Sequence, residues 1–247
     1  MRNIKLTLAY DGTPYHGWQI QPGVPTVQSA LNDALERILD HPVTTHGSGR
    51  TDAGVHAHGQ VAHVHTERSM DTDALHKGVN ALLAPEVRIT MVEEVPLEFH
   101  ARKSATSKTY EYHVWRDPVV SPFHHRYVHA LWRPLNADAM DRTTERFLGV
   151  HDFTSFSATS AEVEDRVREI YDAEWERDPS DWVFRIRANG FLQYMVRTIV
   201  GTLIDVGTGR TDPDAIDDLF DALDRKVAGP SAPAKGLHLI QVDYGEL

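Results

Sequence analysis

The residue best placed to do chemistry is an aspartate set among glycines. It is Asp52, in the run Gly47-Ser48-Gly49-Arg50-Thr51-Asp52-Ala53-Gly54-Val55-His56. Three glycines within eight residues permit backbone angles that other residues avoid, and they let a ligand approach closely. A carboxylate displayed on such a loop, with Arg50 two positions before it, is placed to react or to bind. The competing reading is an Asx turn, in which Asp52 bonds its own backbone. The run is not a phosphate loop, because the Gly-Lys-Ser/Thr ending is missing.

A second signal is Arg197, the only charged residue between Phe191 and Ile204, surrounded by Met195, Val196, Ile199, Val200 and Leu203. A helix apolar nearly all round is a buried helix, and a guanidinium there is costly unless it meets an anion. Asp52 is the best candidate for that anion, since an opposite charge would hold the carboxylate ionised. The alternatives are a side chain that snorkels to the surface, or a pair with Asp205. In Ser107-Lys108-Thr109-Tyr110-Glu111-Tyr112, one tyrosine of an alternating strand can face a cleft and stack on a base, or both can pack in the core. His56, His58, His63 and His65 contain a His-x-His pair of the kind that binds metal. No cysteine and no matching acidic pattern supports a metal, and a histidine-rich surface facing RNA is the simpler account.

The elements that must hold these residues alternate strands and helices. Residues 2–10 put Ile4, Leu6, Leu8 and Tyr10 on one strand face. Thr26 caps a helix bearing Val27, Leu31, Leu35 and Ile38. A strand near 59–66, a helix near 72–83 and a strand near 86–95 follow, giving β-α-β-α-β. The second half expects a strand at 107–115, a helix capped by Asn136 and carrying Met140, Phe147 and Leu148, and strands near 164–177 and 181–189. It then expects an apolar helix from Phe191 to Val206, a helix opened by Asp212-Pro213, and a last strand at 237–243. The expectation is an α+β protein of two similar halves, 1–103 and 104–247.

Composition bounds the partners. With 41% hydrophobic and 25% charged residues in a chain of 247, the protein can bury a core. No apolar run is long enough to span a membrane, the N-terminus lacks a signal-peptide pattern, and there is no cysteine, so a cytoplasmic location is the default. The net charge of −11 is awkward for a nucleic-acid binder. It is uneven, however: residues 97–133 carry six basic and three acidic groups, while residues 134–247 carry 12 and 22. Six Lys against 19 Arg, with 22 Asp, is a composition that suits a cytoplasm of high salt. The Asp-rich stretch 212–224 reads as a solvated helix face rather than an ion site.

The chain resembles the TruA-type tRNA pseudouridine synthases along its whole length. The matching segments are Tyr10-Asp11-Gly12 with Tyr15-His16-Gly17-Trp18-Gln19, Gly47 to His56, Phe99-His100-Ala101-Arg102 with Thr109-Tyr110, Asn189 to Gly201, and Pro230 to Leu239. Phe is more usual in the family where this chain has His16. The resemblance implies a catalytic role for Asp52 and base-displacement and phosphate contacts for Arg50. It implies that Tyr110 stacks on the target base, that Arg197 salt-bridges the catalytic aspartate, and that Leu237 lines the uracil pocket. Arg102 joins the substrate-binding set. The implied fold is two ferredoxin-like halves sharing one antiparallel sheet, with the cleft between them. The implied protein is a homodimer that needs no cofactor or metal and acts on uridines 38, 39 and 40 of the tRNA anticodon stem-loop. A non-catalytic RNA-binding module on the same fold is the alternative. It would tolerate loss of Asp52 or Arg197, and this chain keeps both.

Overall fold

A computed structural model describes residues 1–159 and 163–245. The chain divides into two compact units, one made of Met1–Thr106 with the chain from His238 onward, the other of Ser107–Leu237.

The first unit opens with β1 (Arg2–Tyr10), in which Ile4, Leu6, Leu8 and Tyr10 are buried. Their period-two spacing places them on one face, and that face is the core. Helix α1 (Val27–Leu39) starts at Thr26 with a capping box: Thr26 Oγ1 accepts from the Ser29 amide, and the Thr26 amide donates to Ser29 Oγ. Val27, Leu31, Leu35 and Leu39 form its buried stripe. The short β2 (His46–Gly47) and the long β3 (His56–Thr66) bracket the glycine-rich loop. Helix α2 (Thr72–Leu82), capped by Asp71, and β4 (Val87–Val95) complete the β-α-β-α-β order expected from the sequence, to which the two-residue β2 is an addition.

The second unit contains β5 (Ser107–Trp115), β6 (His129–Ala130), α3 (Ala137–Glu145), β7 (Gly149–Asp152), β8 (Val167–Arg177), β9 (Asp181–Ala188), α4 (Met195–Gly207) and α5 (Ile216–Asp221). Its strand order is β5-β9-β8-β7 with every neighbour antiparallel, and β6 runs parallel beside β5. Tyr110, Tyr112 and Val114 of β5 face the core with Phe184, Ile186 and Ala188 of β9. The last strand, β10 (Leu237–Asp243), pairs parallel with β3 from His238, opposite His56. The first unit is thus ordered β4-β1-β3-β10, and β1 is antiparallel to both of its neighbours. The fold class is α+β, as expected. The expected division at residue 103 had left the last strand in the second half, whereas its pairing with β3 places it in the first unit.

Three helix boundaries differ from expectation. Helix α4 begins at Met195 instead of Phe191, because Tyr194 adopts a left-handed backbone at φ 64. Helix α3 ends at Glu145, so Phe147 packs from beyond its end and Leu148 is exposed. The stretch opened by Asp212 is a 3-10 turn (Pro213–Ala215) followed by the six-residue α5, and Leu223 at φ 45 lies outside it. Among the described residues, no helix is long and apolar enough to cross a membrane.

Candidate active site

In the first unit, Arg50, Thr51 and Asp52 follow one another as exposed, buried and half-buried residues. The buried member anchors the loop. Thr51 Oγ1 and Tyr10 Oη lie 2.9 Å apart, and the Trp18 amide donates to the Thr51 carbonyl at 3.0 Å. Gln60 Nε2 donates to the Gly49 carbonyl at 3.0 Å, while Ser48 Oγ donates to Gln60 Oε1 at 2.7 Å. Burial pushes the Tyr10 hydroxyl up to about 12, so it serves here as a neutral hydrogen-bonding group. On the far side of Asp52, the Val55 amide donates back to the Asp52 carbonyl at 3.1 Å, closing a turn. Two glycines let the loop after β1 press against this backbone. A Cβ on Gly12 would meet the Val55 carbonyl oxygen at 2.0 Å, and one on Gly17 (φ +84) would meet the Thr51 carbonyl oxygen at 2.5 Å. The Asp52 main chain is therefore fixed from both ends while the Arg50 side chain is left in solvent. Arg102 is exposed in the turn after Phe99, where its amide donates to His100 Nδ1 at 3.1 Å.

In the second unit, β5 carries Tyr110 into a buried position opposite Ile186. Phe191 packs edge-on against its ring, with centroids 5.1 Å apart at 87°. Arg197 lies in the first turn of α4 and is half-buried. Its Nε donates to the Ala232 carbonyl at 2.8 Å, the Ala232 amide donates to the Arg197 carbonyl at 2.8 Å, and its guanidinium stands 5.2 Å from the Tyr194 ring centroid. Asp205, the other carboxylate considered for Arg197, pairs with Arg210 at 3.3 Å. The chain at 230–233 lies directly on α4: a Cβ on Gly201 would meet the Pro230 carbonyl oxygen at 1.7 Å. The Tyr112 hydroxyl donates to the Pro233 carbonyl at 2.9 Å. Leu237 follows this segment and is buried. So β5, α4 and the 229–237 segment together hold Tyr110, Arg197 and Leu237. A recess of about 260 Å³ between β6, α4 and Pro230–Pro233 is lined by none of the site residues expected from the sequence.

The sequence reading assigned no role to Tyr10, Trp18, Gln60 or Phe191, which support the site residues. Tyr10, Trp18 and Phe191 belong to the segments that carry the resemblance, and Tyr10 also lies on the apolar face of the first strand pattern. His63 is buried, and its Nδ1 accepts the Ala101 amide at 3.1 Å. Burial, then the neighbouring His100 and His46, push it down to about 4. Its neighbour on the strand, His65, is exposed, and no group of three His, Asp or Glu that could hold a metal occurs among the described residues.

A family model described as tRNA pseudouridine synthase matches residues 7–102 and 144–245. A tRNA pseudouridine synthase A from an Exiguobacterium strain is 45% identical over 244 residues, covering 99% of this chain and 98% of its own length. A tRNA pseudouridine synthase A from Solibacter usitatus is 45% identical over 247 residues, covering 99% and 100%. One from Ruminiclostridium cellulolyticum is 44% identical over 247 residues, with the same coverage.

Proposed function

The chain belongs to the tRNA pseudouridine synthase family, and on that premise we propose that it isomerises uridine to pseudouridine in tRNA with Asp52 as the catalytic carboxylate. The observation that carries this reading is the loop itself. A half-buried carboxylate stands next to an exposed arginine on a main chain fixed by Trp18 on one side and Val55 on the other.

The reaction breaks the N1–C1′ glycosidic bond, turns the uracil, and rejoins it through C5. The target nucleotide must first leave its helix, which requires a group to fill the gap and a surface for the flipped base. In this reading Arg50 does the first and holds phosphate, and Arg102 adds a second phosphate contact. Tyr110, its ring held edge-on by Phe191, stacks on the base, and Leu237 provides the apolar floor. Asp52 then acts on the ribose or the base. Attack at C1′, proton removal at C2′ and addition at C6 all need the ionised form, and the family resemblance gives Arg197 the role of favouring it. The logic is that of a retaining glycosidase whose leaving group stays bound.

The finer reading is that the substrates are uridines 38, 39 and 40 of the anticodon stem-loop. The enzyme then works as a cytoplasmic homodimer and needs neither metal nor cofactor. The names of its relatives, tRNA pseudouridine synthase A, support the substrate class. The test is to incubate the protein with unmodified tRNA transcripts in the presence of a chelator and to map pseudouridine by position. Pseudouridine at 38–40 is expected. No pseudouridine, or pseudouridine only after a divalent metal is added, would overturn the reading.

A further inference from the structure

His56 ends the Gly-Arg-Thr-Asp run, is buried, and has no part in the chemistry above. Its Nδ1 lies 3.1 Å from the Gly12 amide nitrogen and 3.3 Å from Asp11 Oδ1. These neighbours make opposite demands. An amide N–H needs an acceptor and a carboxylate needs a donor, and one ring nitrogen serves only one of them at a time. With the proton on Nε2, Nδ1 accepts from Gly12. Gly12 in turn packs without a Cβ on the Val55 carbonyl, and the Val55 amide closes on the Asp52 carbonyl at 3.1 Å. The imidazole is thus linked to Asp52 through two backbone contacts. Its ring plane is fixed from another side: His238, opposite His56 across β10 and β3, stacks on it at 4.8 Å and 26°, and His58 Nε2 lies 3.3 Å from His238 Nδ1.

We propose that His56 is a positioning residue for Asp52, and that its unprotonated Nδ1, by accepting the Gly12 amide, sets the turn that aims the carboxylate. The proposal rests on the reading of Asp52 as catalytic. It requires an imidazole, or another acceptor at the same place, rather than any side chain of similar bulk. His56→Asn puts an amide oxygen near the Nδ1 position, whereas His56→Leu has similar volume and no acceptor. Both lose the stack on His238, so a loss that depends on the acceptor appears in the Leu variant and not in the smaller Asn variant.

The experiment measures kcat and KM on tRNA for the wild type, His56→Asn and His56→Leu, with a melting temperature for each. His56→Leu should lose about 10- to 100-fold in kcat with KM within about twofold, as for a misaimed catalytic group, while His56→Asn stays within about fivefold of wild type. If His56→Leu melts below the assay temperature, His56→Gln replaces it. Gln moves the acceptor away from the Nδ1 position, and the same kcat loss is expected. Equal kcat in the Asn and Leu variants, or a loss confined to KM, would overturn the proposal while leaving Asp52 in place. A wild-type protein inert on tRNA would overturn the functional reading, and this inference with it.

Discussion

The main chain at Asp52 is held by hydrogen bonds to its own and its neighbour's carbonyl, and these do not involve the charge of its side chain. Asp52→Asn, nearly isosteric, should therefore fold and bind tRNA as the wild type does. Its pseudouridine formation should fall by more than the roughly 10²- to 10⁴-fold typical of a general acid–base residue. Residual activity within about tenfold of wild type, read by mapping modified transcripts, would remove Asp52 from the catalytic role. Two histidines set a pH dependence of stability with opposite signs. Burial opposes the proton on His113, but hydrogen bonds to Asp181 and Glu111 outweigh it and push the group up to about 9. Its contribution is present in full below the unfolded value of about 6.5 and is lost as pH rises through 9. His63, pushed down to about 4, contributes above about 6.5 and loses that contribution as pH falls through 4. Stability should peak near pH 6.5, by this account about where the two contributions cross. Thermal melts across this range are the measurement. His113→Gln should flatten the alkaline side and His63→Gln the acid side, and unchanged slopes in both would assign the dependence to other groups.

At the scale of elements, α4 shows what close packing demands. Ala is intrinsically better than Gly in a helix by about 1 kcal/mol, yet the Cβ of Gly201→Ala would overlap the Pro230 carbonyl oxygen at 1.7 Å. Overpacking of this kind costs about 1–3 kcal/mol, so the substitution should destabilise on balance. Because the displaced segment carries the acceptor of Arg197 Nε, activity should drop as well. Gly190→Ala, with only Arg168 at 3.7 Å, is the control and should stay within about 0.5 kcal/mol. Denaturant midpoints decide, and a Gly201→Ala variant as stable as Gly190→Ala would contradict the packing account. The same elements mark how far the sequence was legible. β1 and α1 were readable because Ile4, Leu6 and Leu8, or Val27, Leu31 and Leu35, repeat with the period of their own backbone. The Asp52 loop was readable because glycines and one carboxylate stand out from their neighbours. The Tyr10–Thr51 bond was not, since it joins residues 41 apart that follow no common period. The start of α4 was misread because Phe191 and Leu192 continue the apolar run, whereas the helix is set by the left-handed Tyr194. The parallel pairing of β10 with β3 leaves no local mark either, because a strand's alternation says nothing of its partner.

For the whole molecule, charge is the property read most directly from composition, and its consequence is a salt response. Asp212, Asp214, Asp217, Asp218, Asp221 and Asp224 are all exposed, while Ile216 from the same stretch is buried. Arg146 reaches two of them, Asp217 at 2.7 Å and Asp214 at 3.7 Å, which leaves a strong excess of negative charge in a short span. Screening shortens from about 10 Å at 0.1 M to about 3 Å at 1 M salt, so this repulsion fades over that range. The same salt weakens surface pairs such as Arg2–Glu94 and Arg177–Asp141, but exposed pairs contribute only about 0–1 kcal/mol each. With a net charge of −11, relief of repulsion outweighs loss of pairs, and the melting temperature should rise between about 0.1 and 1 M KCl. Binding of tRNA feels the opposite effect, because each phosphate contact weakens with salt. A protein built for high salt must therefore bind through stacking by Tyr110 and through shape, with few phosphate contacts. The expected titration is a shallow loss of affinity over the range in which stability climbs. A melting temperature that stays flat or falls, with affinity dropping steeply, would show that the acidic surface is incidental and that tRNA is held mainly by ion pairs.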